Sequence, residues 1–448
     1  MVLRLFLWLL AALILTLGAA LPVAAEETNS SRHRTWKTVA DLSPQERQKL
    51  DLAVDTPRHP QVPYLPAEPY PFTPPYTAEE MGYRLMEFTA RPRWSAVFAR
   101  AWSSISTQGV LLNPGSAINF LAYNASATGV EAELILKPGE EIYRALSQST
   151  APPAAEGSQR LSIRYRTDKE FIKKEERFRY SPTTRRVRHD APRRRQGKVP
   201  NMAVTPDDSY GRDAWEFSWR ILGLDTLYQT VRFPKTRPTI MLRNGQTGQF
   251  HERRTPELKL MGDNYRYYTA EGGVRCYVVE ARARPEWLPN YYAPRLLFWL
   301  EEHSFFPLRT EQYSPDGKLI LIEVRLAEIF NPALGEQGYG SLITLFWTVA
   351  DDLMTYFVND SHRVTAWKPQ EVALFFSPDF MRRQWALDTS VKTQAQVPFP
   401  ELFFLRPTLE EEKFPVERLL QIPAEVVARI QAQEAAGRLV FGGSEQGR

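Results

Sequence analysis

Cysteine is almost absent from this sequence, because Cys276 is the one cysteine in 448 residues. An internal disulfide framework is therefore excluded, and the strand-like surroundings of Cys276 predict a small buried apolar residue. Histidine is also scarce. The six histidines are scattered, and none has a Cys, Asp or Glu neighbour at metal-ligand spacing. The sequence predicts neither a metal site nor a cofactor.

Motifs of catalysis are missing as well. The chain has no G-x-S-x-G elbow, no H-E-x-x-H, no C-x-x-C and no glycine-rich phosphate loop. Its 56 basic and 52 acidic residues leave a net charge of +4, which is too small to indicate nucleic-acid binding. We therefore expect a protein that is neither an enzyme nor a nucleic-acid binder.

One long hydrophobic run is present, at the start of the chain. Arg4 precedes the apolar residues 5–21, and small residues follow at 23–25. This order is typical of a secretory signal peptide over residues 1–25, and it predicts a periplasmic location, with peripheral contact to the outer membrane as an extension. The alternative is an uncleaved membrane anchor, although a run of 17 residues is shorter than a typical span.

Proline is abundant after this segment. Residues 26–76 contain a helix start, "SPQE" at 43–46, and eight prolines between 56 and 76. This proline-rich strap either lies on the domain surface or binds a partner in polyproline form. We assign 77–408 to one domain, of which 77–158 is the less well defined part, and 409–448 to a C-terminal helix (Pro423–Ala436) with a frayed tail.

Strand patterns dominate the middle of the chain. "QRLSIRYR" alternates apolar and polar residues, and "RFRYSPTTRRVRH" predicts a hairpin. "NYRYY" and "VRCYVVEARA" flank a glycine turn, and "PLRTEQY" and "KLILIEVRL" flank "SPDG", with Ile320, Ile322, Val324 and Leu326 expected on one face. Successive antiparallel hairpins, rather than β-α-β units, are the prediction.

The stretch "DDSYGRDAWEFSW" at 207–219 has three interpretations. Asp207, Asp208 and Asp213 could serve a hydrolase, a calcium site or a turn. Neighbouring carboxylates point apart in an extended strand, no base or nucleophile accompanies them, and the EF-hand spacing is absent. The favoured prediction is a turn at Asp207 and Asp208, with Asp213 beginning a short helix and Trp215 and Trp219 packing on the sheet.

A basic run follows the hairpin. Six arginines in eleven residues are candidates for contact with lipid headgroups, lipopolysaccharide phosphates or an acidic partner: Arg185, Arg186, Arg188, Arg193, Arg194 and Arg195. The competing interpretation is a solvated strand edge whose charges prevent unwanted pairing.

Several motifs occur together in a family-like order. They are "RRVRHDAP", "DDSYGRDAWEFSWRILGLD", "GVRCYVVEARARPE", "YYAPRLLFWLEEHSFFPLRTEQYSPDGKLI", "NDSHRVTAW" and "FFSPDFMRR". The set resembles the bacterial DUF1329 family, and its middle block is similar to the outer-membrane lipoprotein-sorting proteins related to LolA and LolB. The match covers about residues 160 to 385. Glu301 stands in "WLEE" where the wider group commonly has Asp.

The resemblance implies an α+β fold that is mainly antiparallel β. The expected sheet is a strongly curved, incomplete β-barrel of LolA/LolB type, with short helices on its concave face. Such a fold implies a non-catalytic carrier or binding protein for a lipid or other hydrophobic molecule in envelope assembly or export. An envelope transporter or an outer-membrane protein is the implied partner.

Face assignment gives candidate ligand-binding residues for an apolar cavity. They are Trp215, Trp219, Val278, Leu296, Phe298 and Leu300. A shift of one residue in register would exchange the faces. The alternative function is an envelope scaffold without a ligand, associated with a hydrophobic-substrate exporter and using the strap and the arginines as contact surfaces. An envelope hydrolase that uses the three aspartates is the third hypothesis.

Overall fold

The structure is a computed structural model of the whole chain. It describes residues 36–53, 56–58, 66–68, 70–89, 94–105, 111–123, 137–191, 194–228, 239–243, 250–254, 259–262, 265–351, 353–364 and 367–382. The predicted signal peptide and C-terminal helix lie outside these residues. Within them, no helix is long and apolar enough to cross a membrane.

Strands are the main secondary structure of the described chain. Those outside the main sheet are β2 (Leu50–Asp51), β3 (Tyr76–Thr77), β11 (Thr239–Arg243) and β12 (Phe250–Arg254). Those in the main sheet are β1 (Lys37–Thr38), β4 (Ala96–Ile105), β5 (Leu111–Tyr123), β6 (Glu141–Ala151), β7 (Gln159–Tyr165), β8 (Glu175–Ser181), β9 (Arg186–His189), β10 (Phe217–Tyr228), β13 (Gly273–Ala283), β14 (Arg295–Glu301), β15 (Pro307–Tyr313), β16 (Leu319–Ile329), β17 (Tyr339–Thr348) and β18 (Leu353–Val364).

Helices are few and short. They are α1 (Pro44–Gln48), α2 (Ala78–Arg84), α3 (Pro369–Phe375) and α4 (Pro378–Met381), with 3-10 turns at Val39–Asp41, Pro153–Ala155, Ala214–Glu216 and Pro332–Gly338 and π turns at Leu85–Thr89 and Asp207–Gly211. The two predicted helix starts are confirmed. Ser43 accepts a hydrogen bond from the amide of Glu46, and Thr77 accepts one from the amide of Glu80, each at 3.2 Å.

The main sheet has fourteen strands in the order β1-β10-β13-β14-β15-β16-β17-β18-β4-β5-β6-β7-β8-β9. Every neighbouring pair is antiparallel. Two meanders, β4–β9 and β13–β18, meet where β18 pairs with β4. Because the order ends in β1 and β9, the sheet is open, which confirms the predicted antiparallel, incomplete-barrel fold. The N-terminal strands β4–β6 belong to this same sheet.

Two parts of the strand prediction are wrong in detail. In the predicted strand "NYRYY", Asn264 lies outside the described residues, and residues 265–268 form a loop instead of a strand. Ile320 does not share the face of Ile322, Val324 and Leu326, because the pairing of β15 with β16 shifts register at Gln312 and skips Ile320. A β-bulge of this kind reverses side-chain parity along one strand.

Both faces of the central strands are packed. On one face, α2 and the proline-rich strap cover β10, β13 and β14, and the buried aromatic rings of Tyr70 and Phe72 join this core. On the other face, Met261 and Tyr265 cover side chains of β13–β18. We call the first layer the helix-side core. Its composition favours the interpretation of the strap as a segment lying on the domain.

Gly82 of α2 marks the closest contact between helix and sheet. A Cβ atom built on Gly82 would lie 2.3 Å from two carbon atoms of the Trp219 indole. The ring is backed by Phe298, at 5.9 Å between ring centroids. Trp219 also donates from its indole nitrogen to the carbonyl of Ala214 at 2.9 Å. The indole therefore occupies the space that any larger residue at 82 would need.

Gly82→Ala should destabilise the protein by about 1–3 kcal/mol. In an exposed helix the same change would stabilise the protein by up to about 1 kcal/mol. A loss of stability in Gly82→Ala would therefore indicate the contact with the Trp219 ring. Gly197→Ala is the control, because its added Cβ would approach neighbours no closer than 3.5 Å. Urea unfolding of both variants is the measurement, and a stabilised Gly82→Ala protein would contradict the described packing.

Candidate functional site

The stretch that held the three aspartates forms a π turn, not a strand. Asp207 and Asp208 begin the turn Asp207–Gly211, and both are buried. Their carboxylates therefore do not point to opposite faces of a strand, as the strand-based argument assumed. They lie in one connected network of ion pairs and hydrogen bonds, which we call the aspartate network. The turn itself, and the helical start at Asp213, were predicted correctly.

Asp208 is saturated with donors. Its Oδ2 accepts from the amide of Thr205 at 2.6 Å and from the Thr205 hydroxyl at 2.8 Å. Its Oδ1 accepts from Arg212 at 2.8 Å, and from Tyr292 and Gln312 at 2.7 Å each. A buried carboxylate with five donors is fixed in orientation and has no lone pair aimed at open space.

Asp207 is held in a similar way. Tyr291 donates to it at 2.7 Å, and Arg195 pairs with it at 2.9 Å. Burial alone would raise the pKa of Asp207, but the guanidinium groups of Arg195 and Arg212 outweigh burial and hold the pKa below its usual value. Asp207 is therefore ionised at neutral pH.

The network continues from Asp207 into strand β7 and its following loop. Asp213 pairs with Arg164 at 2.9 Å and with Lys174, and Glu216 pairs with Arg195 at 2.6 Å. Burial lowers the pKa of Lys174, while the carboxylates of Asp213 and Glu216 oppose that shift. These contacts connect the segment after β9 with β7 and thus join distant parts of the sheet.

The groups of the aspartate network have a structural role. The cavity beside it measures about 30 Å³ and is bordered by Asp207, Asp208, Arg212 and Glu323. That volume suits one water molecule and no substrate. Burial raises the pKa of Glu323, yet Arg325 pairs with it at 2.6 Å. The hydrolase hypothesis therefore gains no support from the carboxylates that suggested it.

The six predicted cavity residues are not brought together. Trp219, Leu296, Phe298 and Leu300 lie in the helix-side core, whereas Val278 pairs with Trp299 and lies in the core on the opposite face. Trp215 stacks edge-on against Trp287 at 5.4 Å and donates to Thr167. The described residues fill the space that these side chains were expected to line. Their role in ligand binding stays a prediction.

A larger opening lies elsewhere, at one end of the central strands. It has a volume of about 540 Å³. Its walls come from the strap, from the loop before β13, from the β14–β15 turn and from the β16–β17 connection. We call it the aromatic cleft; it is lined by Tyr70, Pro71, Phe72, Tyr76, Arg266, Tyr267, His303, Phe305, Ile329, Leu334, Gly335, Glu336, Gln337 and Tyr339.

Several polar groups of the cleft are paired with one another. Arg266 donates to Glu336 at 3.0 Å, and the hydroxyl of Tyr267 donates to the same carboxylate. The Tyr267 ring stacks on His303, with 3.8 Å between centroids and 9° between planes. Because Arg266 is 75% exposed, this polar group marks the rim of the cleft, and the aromatic rings form its floor.

Glu301 organises the turn that forms one wall. Its buried carboxylate accepts from Tyr265 at 2.7 Å, from the Ser304 amide at 2.7 Å and from the His303 imidazole at 2.9 Å. Burial opposes ionisation, but the bonds from His303, Ser304 and Tyr265 hold the pKa of Glu301 below its ordinary value. The turn places Phe305 at a φ of 53°, which is rare for an aromatic residue.

Two members of the predicted arginine cluster need separate treatment. Arg195 pairs inside the protein with Asp207 and Glu216, and its side chain is 29% exposed; its role as a headgroup or partner contact stays a prediction. Arg193 lies outside the described residues. The others are exposed: Arg185, Arg186, Arg188 and Arg194. Their contact role stays a prediction.

The described ranges offer no candidate metal site. They contain no group of three or more His, Cys, Asp or Glu side chains arranged to hold a metal ion. Cys276 is buried, as expected, and burial raises the pKa of its thiol.

Comparison with known proteins gives similarity at the level of solved structures. No protein-family model and no curated protein matches the chain. A DUF1329 family protein from Desulfovibrio piger is 10% identical with a TM-score of 0.43, covering 67% of this chain and 95% of its own. A putative outer membrane lipoprotein-sorting protein domain from Vibrio parahaemolyticus is 12% identical with a TM-score of 0.42, covering 68% and 97%.

A LolA superfamily protein from Nitrosomonas europaea is 12% identical with a TM-score of 0.39, covering 68% of this chain and 99% of its own. The chain is thus similar to the groups that its motifs indicated, DUF1329 proteins and LolA-like sorting domains. The description of its fold rests on its own sheet, an open antiparallel sheet of fourteen strands with short helices.

Arg212→Met should destabilise the protein by about 3–5 kcal/mol, because it leaves Asp208 buried without its cation. Lys318→Met is the control: it removes one cation of the exposed pair with Asp316 and should leave the unfolding midpoint unchanged. Chemical unfolding monitored by tryptophan fluorescence is the measurement. Equal midpoints for both variants would contradict the structural role of the network.

Acid sensitivity gives a second test of the network. The folded-state pKa of Asp207 lies below its unfolded value of about 3.9. Its contribution to stability is therefore complete above that value and is lost as pH falls through the folded pKa. Asp207→Asn should be less stable at neutral pH and should lose less stability between about pH 5 and pH 2 than wild type. Urea titrations at stepped pH measure this, and parallel curves would refute it.

Proposed function

We propose that the protein is a non-catalytic carrier or binding protein for a lipid or other hydrophobic molecule, and that the aromatic cleft receives this ligand. The cleft carries the proposal, since an opening of about 540 Å³ lies within the usual range for small-molecule sites. Its lining combines aromatic and aliphatic side chains with polar groups such as Arg266, His303 and Glu336, and polar groups in such sites fix the orientation of a ligand.

The energetics of such a site require no catalytic group. Each buried methylene contributes about 0.8 kcal/mol, so about ten methylenes contribute about 8 kcal/mol before the cost of association is subtracted. Tyr70, Phe72 and Tyr76 of the strap supply one wall, and Phe305 and Tyr339 supply part of the rest. A ligand in the cleft would therefore touch both the strap and the sheet.

The location follows from the N-terminal segment. A cleaved signal peptide over residues 1–25 would release the protein into the periplasm, where hydrophobic molecules need a carrier to cross an aqueous space. We propose that the carrier serves envelope assembly or export, and that its partner is an envelope transporter or an outer-membrane protein.

A second candidate function is an envelope scaffold without a ligand, associated with a hydrophobic-substrate exporter. One observation favours it: the helix-side core is filled, with Leu296 and Leu300 fully buried beneath α2 and the strap. A protein whose concave face is packed needs no cargo for stability. The two functions differ in whether the purified protein holds or takes up a hydrophobic molecule.

Leu334→Trp should weaken binding of a fluorescent fatty-acid probe by at least about tenfold, because the indole fills part of the cleft while the sheet is unchanged. Leu52→Trp is the matched control, since Leu52 is 44% exposed and is not among the cleft residues. Probe titration and native mass spectrometry of lipid extracts are the measurements.

Wild-type protein that is reproducibly empty and ignores the probe would overturn the carrier function and favour the scaffold. Probe binding that is equal in Leu334→Trp and Leu52→Trp would remove the cleft as the site while leaving a carrier function to another surface.

A further inference from the structure

Arginines on the outer face of β7, β8 and β9 stand in direct register. Arg160 of β7 pairs across the sheet with Arg179 of β8, and Arg179 pairs with Arg188 of β9. All three are exposed. Arg186, two residues before Arg188, points to the same face. We call Arg160, Arg179, Arg186 and Arg188 the arginine row.

The opposite face of these strands is occupied. Leu161, Phe178 and Tyr180 alternate with the arginine row and pack, together with Phe375 and Phe380 of the C-terminal helices α3 and α4, in one core. The strands that bear the arginine row therefore pack against a hydrophobic core on their inner face, and a partner can reach them from the outer face.

Such a row opposes folding rather than promoting it. Like charges at directly opposed positions of antiparallel strands are destabilising, and the row places two such pairs side by side. Two carboxylates share this face: Asp190 pairs at 3.0 Å with both Arg179 and the neighbouring Arg177, and Glu175 lies 3.8 Å from Arg177. Arg186 and Arg188 have no ion-pair partner within the described part of the chain.

Protection of a sheet edge does not account for the whole row. β9 is the last strand of the sheet, and charges on an edge strand do discourage unwanted pairing. That purpose needs charge on β9 alone. Arg179 and Arg160 lie one and two strands further in, about 5 and 10 Å from the edge strand. The positive surface is broad, which suits contact with a face and not the addition of one strand.

We infer that the arginine row docks the protein on an anionic lipid surface. Guanidinium groups bind phosphate oxygens through two parallel hydrogen bonds, and the row consists of arginine alone. Arginines about 5 Å apart on neighbouring strands can engage the phosphates of several lipids at once, which a single peptide does not offer. This docking is independent of whether the aromatic cleft holds a ligand.

Vesicle co-sedimentation tests the docking. The full chain is mixed with phosphatidylcholine vesicles that contain either 30% or no phosphatidylglycerol, at low and at high salt. The triple variant Arg160→Gln, Arg186→Gln, Arg188→Gln should bind the anionic vesicles about 100-fold more weakly than wild type, at about fivefold per arginine. Wild-type binding should also fall at high salt.

The matched control replaces three other exposed basic residues by glutamine: Lys198, Lys318 and Arg382, whose side chains are 64%, 76% and 60% exposed and pair only with exposed carboxylates. The charge change is the same, so a general charge effect would weaken both triple variants alike. All proteins carry the same N-terminal segment, and the difference between anionic and neutral vesicles isolates the contribution of charge.

A second variant separates charge from folding. Arg160→Lys, Arg186→Lys, Arg188→Lys retains the charge and should keep most of the binding, and thermal unfolding should show that every variant is folded. Equal binding of wild type to anionic and neutral vesicles would overturn the inference. Two other results would also overturn it. One is an equal loss of vesicle binding in the two glutamine variants. The other is a glutamine variant of the arginine row that binds vesicles like wild type but no longer co-purifies with an acidic protein.

Discussion

A buried charge network that connects one irregular segment to two parts of the sheet is the constraint on which the rest of this structure depends. Asp207 and Asp208 are ionic groups in a water-poor place, and such groups persist only when every oxygen has a donor. Arg195, Arg212 and the tyrosines 291 and 292 supply those donors. Because the partners come from far apart in the chain, the network forms only when the fold is complete.

The aromatic cleft depends on a second buried carboxylate. Glu301 collects donors from Tyr265, His303 and Ser304 and thereby sets the turn that brings Phe305 to the cleft wall. In both places, hydrogen bonds to a buried carboxylate fix the conformation of the surrounding backbone. These acids bond to groups inside the protein, whereas the cleft presents aromatic and polar side chains and the outer face of β7–β9 presents arginines.

Much of the fold could be predicted from the sequence because its signals are local. Alternation in β7 and β8, turn residues at "SPDG" and capping boxes at Ser43 and Thr77 depend on neighbours within a few residues. The candidate site depended on distant pairing instead. Val278 was assigned to the face of Leu296, yet the observed register pairs it with Trp299, and a single strand contains no signal that settles such parity.

The cleft could not be found from the sequence for a similar reason. Its walls combine Tyr70, Tyr267, His303 and Leu334, which are far apart in the chain and belong to four different loops or connections. No spacing rule connects them. The internal ion pairs of Arg195 could not be predicted for the same reason, because no local signal distinguishes it from the five other arginines of the run, and only its contacts with Asp207 and Glu216 do so.

The junction of the two meanders has a consequence for the order of folding. β4 is made early, but its partner β18 follows about 250 residues later; the pair Ala101↔Val358 shows the separation. Closing so long a loop is entropically costly and slow. Until the last strand arrives, β4 presents an unpaired edge, so the early half of the chain must wait for the late half. Any other strand that pairs with the free edge of β4 during this delay would compete with β18 and lower the yield of the completed sheet.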